Sequence, residues 1–273
     1  MTVLQDKLFF ITGAGDGIGK QTALLAARKG AKLIVTDIDA ASAEQTAQEI
    51  QAAGGTATAY GLDVTDRDAF YALADNIKAN HGPVDIVMNN AGVALFATAE
   101  KMTQEELDWV MDINFFGTVN GCKAFLPHML ETGQGHIINL SSIFGLISVP
   151  NQSGYNASKF AVLGYSDALR QEMETQNINV TTVHPGGIKT RIAARARFMQ
   201  MEGMEERRQQ LIDDFDKITM TSPEQAANII LRAVEKNKVR IRVGKDAVLV
   251  DWIKRLMPVK FSKLTNILLR IDG

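Results

Sequence analysis

Cysteine is nearly absent. The 273 residues include one, Cys122, so no internal disulfide can form and no cysteine metal cluster is available. That fits a reducing compartment, and the expected location is cytoplasmic. An excess of charge is also missing. Lysine and arginine number 29 against 31 acidic residues, a net charge of -2, which gives no basis for nucleic-acid binding. No apolar run approaches the ~18 residues of a membrane span. The opening stretch, MTVLQDKLFF, lacks the charged start and long apolar core of a signal peptide. Repeats, low-complexity blocks and Pro/Gly/Ser-rich linkers are absent, so one large domain is expected. His81, His128, His136 and His184 do not cluster in sequence, and no metal constellation is expected.

What is present is an alternation. Strand-length apolar runs occur at 7–12, 32–37, 57–64, 84–89, 136–141, 179–185 and 239–244. They are mostly rich in β-branched or aromatic residues. Helical patterns lie between them, at 17–29, 40–53, 66–80, 103–131, 153–176 and 223–236. Strand–helix repetition means parallel pairing with crossover helices. Near-continuous apolar strands imply a sheet covered on both faces. The expected fold is α/β: one doubly wound, Rossmann-type parallel sheet of about seven strands with helices on both faces. Such sheets bind ligands beyond the carboxyl ends of their strands.

The first strand runs into TGAGDGIG (12–19). Gly13, Gly17 and Gly19 are spaced G-x-x-x-G-x-G, which differs from the G-x-G-x-x-G fingerprint but shares its physics. Glycine permits positive φ and lets a ligand approach the backbone. A helix opening near Gly17 offers free N–H groups to a phosphate. Taken alone, the stretch also fits a plain strand–helix turn. Asp37 ends the second strand, 18 residues after Gly19, where a dinucleotide fold places an acid on the adenosine ribose. Its carboxylate would repel a 2′-phosphate. No cation occupies Asp16 or residues 36–39, so NAD is favoured over NADP. Asp37 could also serve as an acid at a helix start.

Tyr155 and Lys159 in YNASK lie four apart on one helix face. A neighbouring ammonium favours the phenolate and would lower the tyrosine pKa, which suits acid/base work. A Tyr–Lys pair at this spacing also arises by chance on helix surfaces.

In their order, these motifs resemble the short-chain dehydrogenase/reductase family over residues ~7 to ~244. TGAGDGIG, with Asp16 and Ile18, looks like its cofactor turn. Asp63–Val64 looks like its adenine contact, and Asn90, Ala91 and Gly92 end the fourth strand as the family does. Asn114 sits where the family carries a catalytic asparagine. Ser142 precedes Tyr155 by thirteen residues, and HPGGIKT (184–190) looks like the nicotinamide and phosphate loop, with Pro185, Gly186, Ile188 and Thr190.

The resemblance implies an NAD-dependent oxidoreductase acting on a secondary alcohol or ketone. Tyr155 would exchange the proton on the substrate oxygen. Lys159 would hold the ribose and depress the tyrosine pKa. Ser142 would polarise the substrate oxygen, and Asn114 would support a proton relay. Ser141 competes with Ser142 for that role. Asn114 could instead be structural, Asp63 a loop acid and Asn90 a turn residue. An NADPH-linked carbonyl reductase and a non-catalytic nucleotide-binding regulator are competing readings. The resemblance also implies a homodimer or homotetramer.

Substrate contacts are expected from Ser142, Phe144, Tyr155 and Gly187. The loops 93–96 and 143–150 are apolar, and the insertion 188–221 holds Met199, Met201, Met204, Leu211, Ile212, Phe215 and Met220. Methionine adapts to irregular apolar shapes, so a mobile lid over a bulky, apolar substrate is expected. Ordinary helix packing is the other use of these residues. Arg191, Arg195 and Arg197 are expected at the surface, balanced by Glu202, Glu205 and Glu206, although one could meet an anion. The catalytic domain is placed at 1–244 and a helical extension at 245–273. In the extension Val248, Trp252, Ile253 and Leu256 share one face, and Phe261, Leu264, Leu268 and Ile271 share another. Six basic residues there against three acidic ones allow weak contact with a membrane surface. Packing on its own or a sister subunit is the expected use.

Overall fold

The structure is a computed structural model describing residues 1–198, 208–209, 212–213 and 219–262. Strand β1 (Leu8–Thr12) lies near the middle of the sheet with all five residues buried. Alternation along a strand sends side chains to opposite faces. Phe9 and Ile11 accordingly enter one core cluster and Phe10 the other. Phe10 meets Phe125 at 4.6 Å and Phe70 at 5.8 Å between ring centroids.

The remaining main-sheet strands are β2 (Lys32–Asp37), β3 (Thr56–Gly61), β4 (Ile86–Asn89), β6 (Gly135–Leu140), β7 (Ile178–Pro185) and β9 (Arg240–Val243). All pair in parallel, in the order β3-β2-β1-β4-β6-β7-β9. Helices α1 (Gly17–Arg28), α2 (Ala40–Ala52) and α7 (Pro223–Glu235) cover the face that buries Phe9 and Ile11. Helices α3 (Arg67–His81), α5 (Gly117–Thr132) and α6 (Ser153–Glu172) cover the other. This is the expected Rossmann-type α/β fold. The direction of winding reverses between β1 and β4, which opens a crevice at their carboxyl ends.

Local chemistry starts the helices where the chain needs them. The Asp39 side chain accepts from the N–H groups of Ala41 and Ser42 at α2. Reciprocal capping boxes, Thr103–Glu106 and Ser222–Gln225, open α4 (Gln104–Met111) and α7. Each satisfies backbone donors that would otherwise be orphaned.

Several boundaries differ from expectation. The helix expected at 103–131 is interrupted by a π-helical turn, Asp112–Phe116, between α4 and α5. Such turns widen the helix locally and frequently occur at functional sites. The third strand stops at Gly61, short of residues 62–64. A short parallel pair, β5 (Leu95–Phe96) with β8 (Arg197–Phe198), ties the insertion to the loop after β4. Two residues are too few to show a period, so the pattern did not reveal it. Met199, Met201, Met204, Leu211 and Phe215, with Glu202, Glu205 and Glu206, lie outside the described residues. Met220 is exposed.

Helix α8 (Lys245–Leu256) follows β9 directly. Its buried residues are Ala247, Val250 and Asp251, whereas Val248, Trp252 and Leu256 are exposed and Ile253 is partly buried. The buried stripe of α8 is thus offset by one residue, roughly 100° around the helix, from the apolar face read in the sequence. Asp251 is the reason: buried beside β9, it takes ion pairs from Arg242 at 2.7 Å and Arg255 at 3.0 Å. Phe261 is buried; Leu264, Leu268 and Ile271 lie outside the described residues. Among the described residues no helix is long and apolar enough to cross a membrane.

Candidate active site

The glycine turn is held from behind by the end of β4. Asn90 Nδ2 donates to the carbonyls of Thr12 at 2.8 Å and Gly13 at 2.9 Å. The N–H groups of Asn90 and Ala91 both donate to Thr12 Oγ1 at 3.0 Å. Gly13 and Gly17 have φ of +61° and +55°, a region that suits glycine. A Cβ on Gly13 would lie 2.9 Å from Ala91 Cα, and one on Gly19 would collide with the Gly13 carbonyl. Gly13 and Gly17 thus supply the left-handed backbone of the turn, Gly13 packed close on Ala91, while Gly19 lets α1 close onto the turn.

Asp37 at the tip of β2 accepts from Gly15 N–H at 3.0 Å and Asp39 N–H at 3.1 Å. Its carboxylate is fixed at the edge of the same turn. Asp63 accepts from the Thr65 N–H at 2.9 Å and the Thr65 hydroxyl at 2.8 Å. The Val64 carbonyl accepts from Asn120 Nδ2 at 2.9 Å.

Past the turn, four candidate residues converge from three elements. Ser142 follows β6; its hydroxyl accepts from Phe144 N–H at 3.1 Å, and its carbonyl lies 2.9 Å from His184 Nδ1. Tyr155 and Lys159 occupy successive turns of α6 and are buried. Lys159 Nζ donates to the Leu140 carbonyl at 3.2 Å and lies 5.8 Å from the Tyr155 ring centroid. Both serines line the cavity, but the Ser141 hydroxyl is engaged by the Lys159 carbonyl at 2.8 Å, whereas the Ser142 hydroxyl is within reach of Tyr155. Asn114, in the π-helical turn, accepts from Val93 N–H at 2.8 Å and donates to the Val93 carbonyl and Ser158 Oγ, both at 3.0 Å. A Cβ on Gly92 would lie 3.0 Å from Asn114 Oδ1 and 3.2 Å from Lys159 Nζ. The bare backbone at Gly92 leaves both polar ends their room.

Burial dominates the protonation equilibria here. It pushes the Tyr155 phenol up, opposed by a hydrogen bond with Ser142. It pulls the Lys159 ammonium down to about 8. Burial thus opposes the lowering of the tyrosine pKa expected from Lys159. Desolvation disfavours both charged forms, and no ammonium contribution outweighs it at Tyr155. His184 is likewise brought down to about 4 by burial, so at neutral pH it is an uncharged support for Ser142.

A cavity of about 520 Å³ joins these parts. Gly13, Asp16, Gly17, Ile18, Asp37, Asp63 and Val64 line one end. Asn90, Ala91 and Gly92, then Pro185, Gly186, Gly187, Ile188 and Thr190, and Ser142, Phe144, Tyr155 and Lys159 also line it. Gly19 and Asn114 are not in the wall and act from behind it. Phe96, Trp109 and Ile192 make the mouth beside Phe144 apolar. Phe96 stacks on Phe198 at 4.9 Å, and the Arg197 guanidinium lies 3.8 Å from the Trp109 ring centroid.

Sequence reasoning missed Asp246. Its Oδ2 accepts from Gly187 N–H at 2.6 Å, so α8 pins the loop after β7. Arg191, expected among the surface charges, is exposed, and its Nε lies 2.6 Å from Asp16 Oδ2. Neither contact leaves a local signal, since 59 and 175 residues separate the partners.

The family model for short chain dehydrogenase matches residues 7–200. The chain belongs to the short-chain dehydrogenase family. It is an NAD(P)-binding oxidoreductase of that family. The "Putative oxidoreductase SadH" of Mycobacterium tuberculosis (strain ATCC 25618 / H37Rv) is 43% identical over 267 residues, covering 97% of this chain and 95% of its own length. A short chain dehydrogenase/reductase from Burkholderia phymatum in complex with NAD superposes with a TM-score of 0.86 at 25% identity, covering 100% of this chain and 98% of that one. A metagenomic short-chain oxidoreductase in complex with NADP gives a TM-score of 0.72 at 26% identity, covering 89% of this chain and 98% of that one. The short-chain dehydrogenase cradle fits a dinucleotide here. Its glycine surface is free of side chains, and a carboxylate stands at one end with buried tyrosine and lysine at the other.

Proposed function

We propose that the chain catalyses hydride transfer between NAD(H) and a secondary alcohol or its ketone, with a bulky, apolar substrate. The observation that carries this is the convergence of Ser142, Tyr155 and Lys159 on one end of a cavity whose other end is the glycine turn and Asp37. NAD(H), when bound, supplies or accepts the hydride. The chain does the rest. Tyr155 holds its proton at neutral pH because burial raises the phenol's pKa, so it is set to protonate a carbonyl oxygen and to take that proton back in the reverse direction. Ser142 donates a hydrogen bond to the same oxygen as charge develops. Lys159 binds ribose and lends the site positive charge. Asn114 fixes Val93 and Ser158 and supports a proton relay toward Lys159. Asp37 accepts from the ribose hydroxyls, favouring NAD. Phe96, Trp109, Phe144 and Ile192 supply the apolar mouth that a bulky substrate needs.

The catalytic unit is read as residues 1–244 and the tail as an extension that completes the site. The exposed edge of α8 at Val248, Trp252 and Leu256 suits a sister subunit in a homodimer or homotetramer, in the cytoplasm.

The test is NADH and NADPH oxidation against ketones from acetoin to bulky aryl and steroid ketones, with Tyr155→Phe beside the wild type. NADH should support turnover, and the variant should lose about 10²–10⁴-fold in rate while binding NADH normally. Undiminished turnover in Tyr155→Phe would remove the proton-transfer role. A preference for NADPH would remove the argument from Asp37.

A further inference from the structure

Ser142 lies just beyond the point where β6 and β7 stop pairing. Among the described residues the last backbone bond between them is donated by Ser141 N–H to the Val183 carbonyl at 2.9 Å. Pro185 ends β7 and has no N–H with which to continue the ladder. A side chain takes over there. His184 Nδ1 lies 2.9 Å from the Ser142 carbonyl, and the imidazole is buried. A carbonyl only accepts, so Nδ1 carries the proton. Nε2 is then the bare nitrogen of the ring, and among the described residues it has no hydrogen-bond partner. Burial brings the imidazole pKa down to about 4, which leaves this single N–H at neutral pH. A buried polar ring with one nitrogen idle is a poor choice for packing alone. Leucine or phenylalanine would fill the space without an unsatisfied atom.

We propose that His184 is a positioning residue, whose Nδ1–H sets the orientation of Ser142 toward the oxygen that reacts. This rests on the reading of Ser142 as a donor to that oxygen. The Ser142 carbonyl accepts from His184 and also from Gly145 N–H at 2.9 Å. Its hydroxyl accepts from Phe144 N–H at 3.1 Å and bonds with Tyr155. The Gly145 and Phe144 bonds come from the 3₁₀ turn that Ser142 itself opens, Ile143–Gly145, so they move with the serine. His184 ties that turn to β7. Fixing the carbonyl fixes the peptide plane, and with it the direction in which Cβ carries the hydroxyl. An error of about 1 Å in the position of a reacting group can cost about 10²-fold in rate. His184 is not among the residues that line the cavity, so it acts on the chemistry through Ser142.

The experiment compares His184→Asn with His184→Leu and His184→Phe in the full chain. Asparagine bears its donor nitrogen on Cγ, as histidine bears Nδ1, so it renews the bond to Ser142. Leucine and phenylalanine fill the site without a donor. The first readout is hydrogen exchange, which needs no substrate. The amides of Phe144 and Gly145 should exchange about tenfold faster in the Leu and Phe variants and at the wild-type rate in the Asn variant, while those of β1 stay unchanged in all three. The second readout is NADH oxidation with the ketone that wild type reduces fastest. There kcat should fall about tenfold or more in the Leu and Phe variants, with KM for NADH unchanged, and return toward wild type in His184→Asn. Melting curves should change little, because loss of one bond is offset by removal of the idle Nε2. Wild-type exchange at Phe144 and Gly145 in both donorless variants overturns the proposal. So does an equal loss in His184→Asn, which would make the ring itself the requirement. Faster exchange with unchanged kcat overturns it as well, as does faster exchange across β1, which would give His184 a role in the whole fold. If wild type reduces no ketone, the functional reading falls, and the exchange rates still decide whether His184 holds Ser142.

Discussion

Lys159 is an expensive residue for the folded state. Burial brings its pKa from 10.5 to about 8, so at neutral pH the protein carries a charge that its surroundings disfavour by about 3 kcal/mol. Among the described residues its hydrogen-bond acceptor is the Leu140 carbonyl at 3.2 Å. Lys159→Met keeps the side-chain volume and removes the charge. The variant should be more stable than wild type at pH 7 and inactive. The folded pKa is depressed, so the unfolded chain binds more protons between about pH 8 and 10.5, and wild-type stability gains from this group as pH rises through that window. The variant should lack that gain. Denaturant titrations of both proteins from pH 7 to 10.5 check the difference; a less stable variant at pH 7 would contradict it. The pairing of Tyr155 with Lys159 was legible from their spacing. The direction of their pKa values was not, because it depends on burial by β6 and the loop above α6.

Elements place these residues by contacts of near-zero tolerance. Gly19 faces the Gly13 carbonyl and the Asn90 amide, leaving no space for a Cβ, whereas Gly54 faces open space with φ of +84°. Gly19→Ala should cost about 1–3 kcal/mol and abolish 5′-ADP binding. Gly54→Ala should cost about 1–2 kcal/mol for its left-handed backbone and leave nucleotide affinity unchanged. Titration of both variants with 5′-ADP is decisive where stability alone is not; wild-type affinity in Gly19→Ala would deny the turn its role. The seven main strands were readable because strand-length stretches, mostly rich in β-branched or aromatic residues, recur between helical patterns. The π-helical turn at Asn114 was not, since residues 103–131 show a continuous helical pattern. What breaks that pattern is a distant partner: Asn114 reaches across to Val93 and Ser158.

At the scale of the whole molecule, the tail completes the site. Asp246 accepts from Gly187 N–H at 2.6 Å, and a Cβ on Gly186 would collide with the same carboxylate. The loop opposite Tyr155 is therefore held by a residue outside the expected catalytic unit. Losing a hydrogen bond to a charged group costs about 1.5–3 kcal/mol. Asp246→Ala should lower turnover by about tenfold or more while leaving 5′-ADP affinity intact, because the adenosine end of the cavity is remote from Gly187. Steady-state kinetics beside nucleotide titration separates the two; equal loss of both would mean that Asp246 supports the fold at large.

The periodicity of the chain determined the layered parallel sheet, because burial on both faces leaves only apolar strands between amphipathic helices. The glycine turn, Asp37, Ser142, Tyr155 and Lys159 were also readable, since each sits at a strand end or helix start that the pattern locates. Tertiary structure alone decided which face of α8 is buried. It also brought Asp246 and Arg191 to the site. These depend on groups far apart in the chain meeting in space, and on how much water their meeting excludes. No local pattern encodes either.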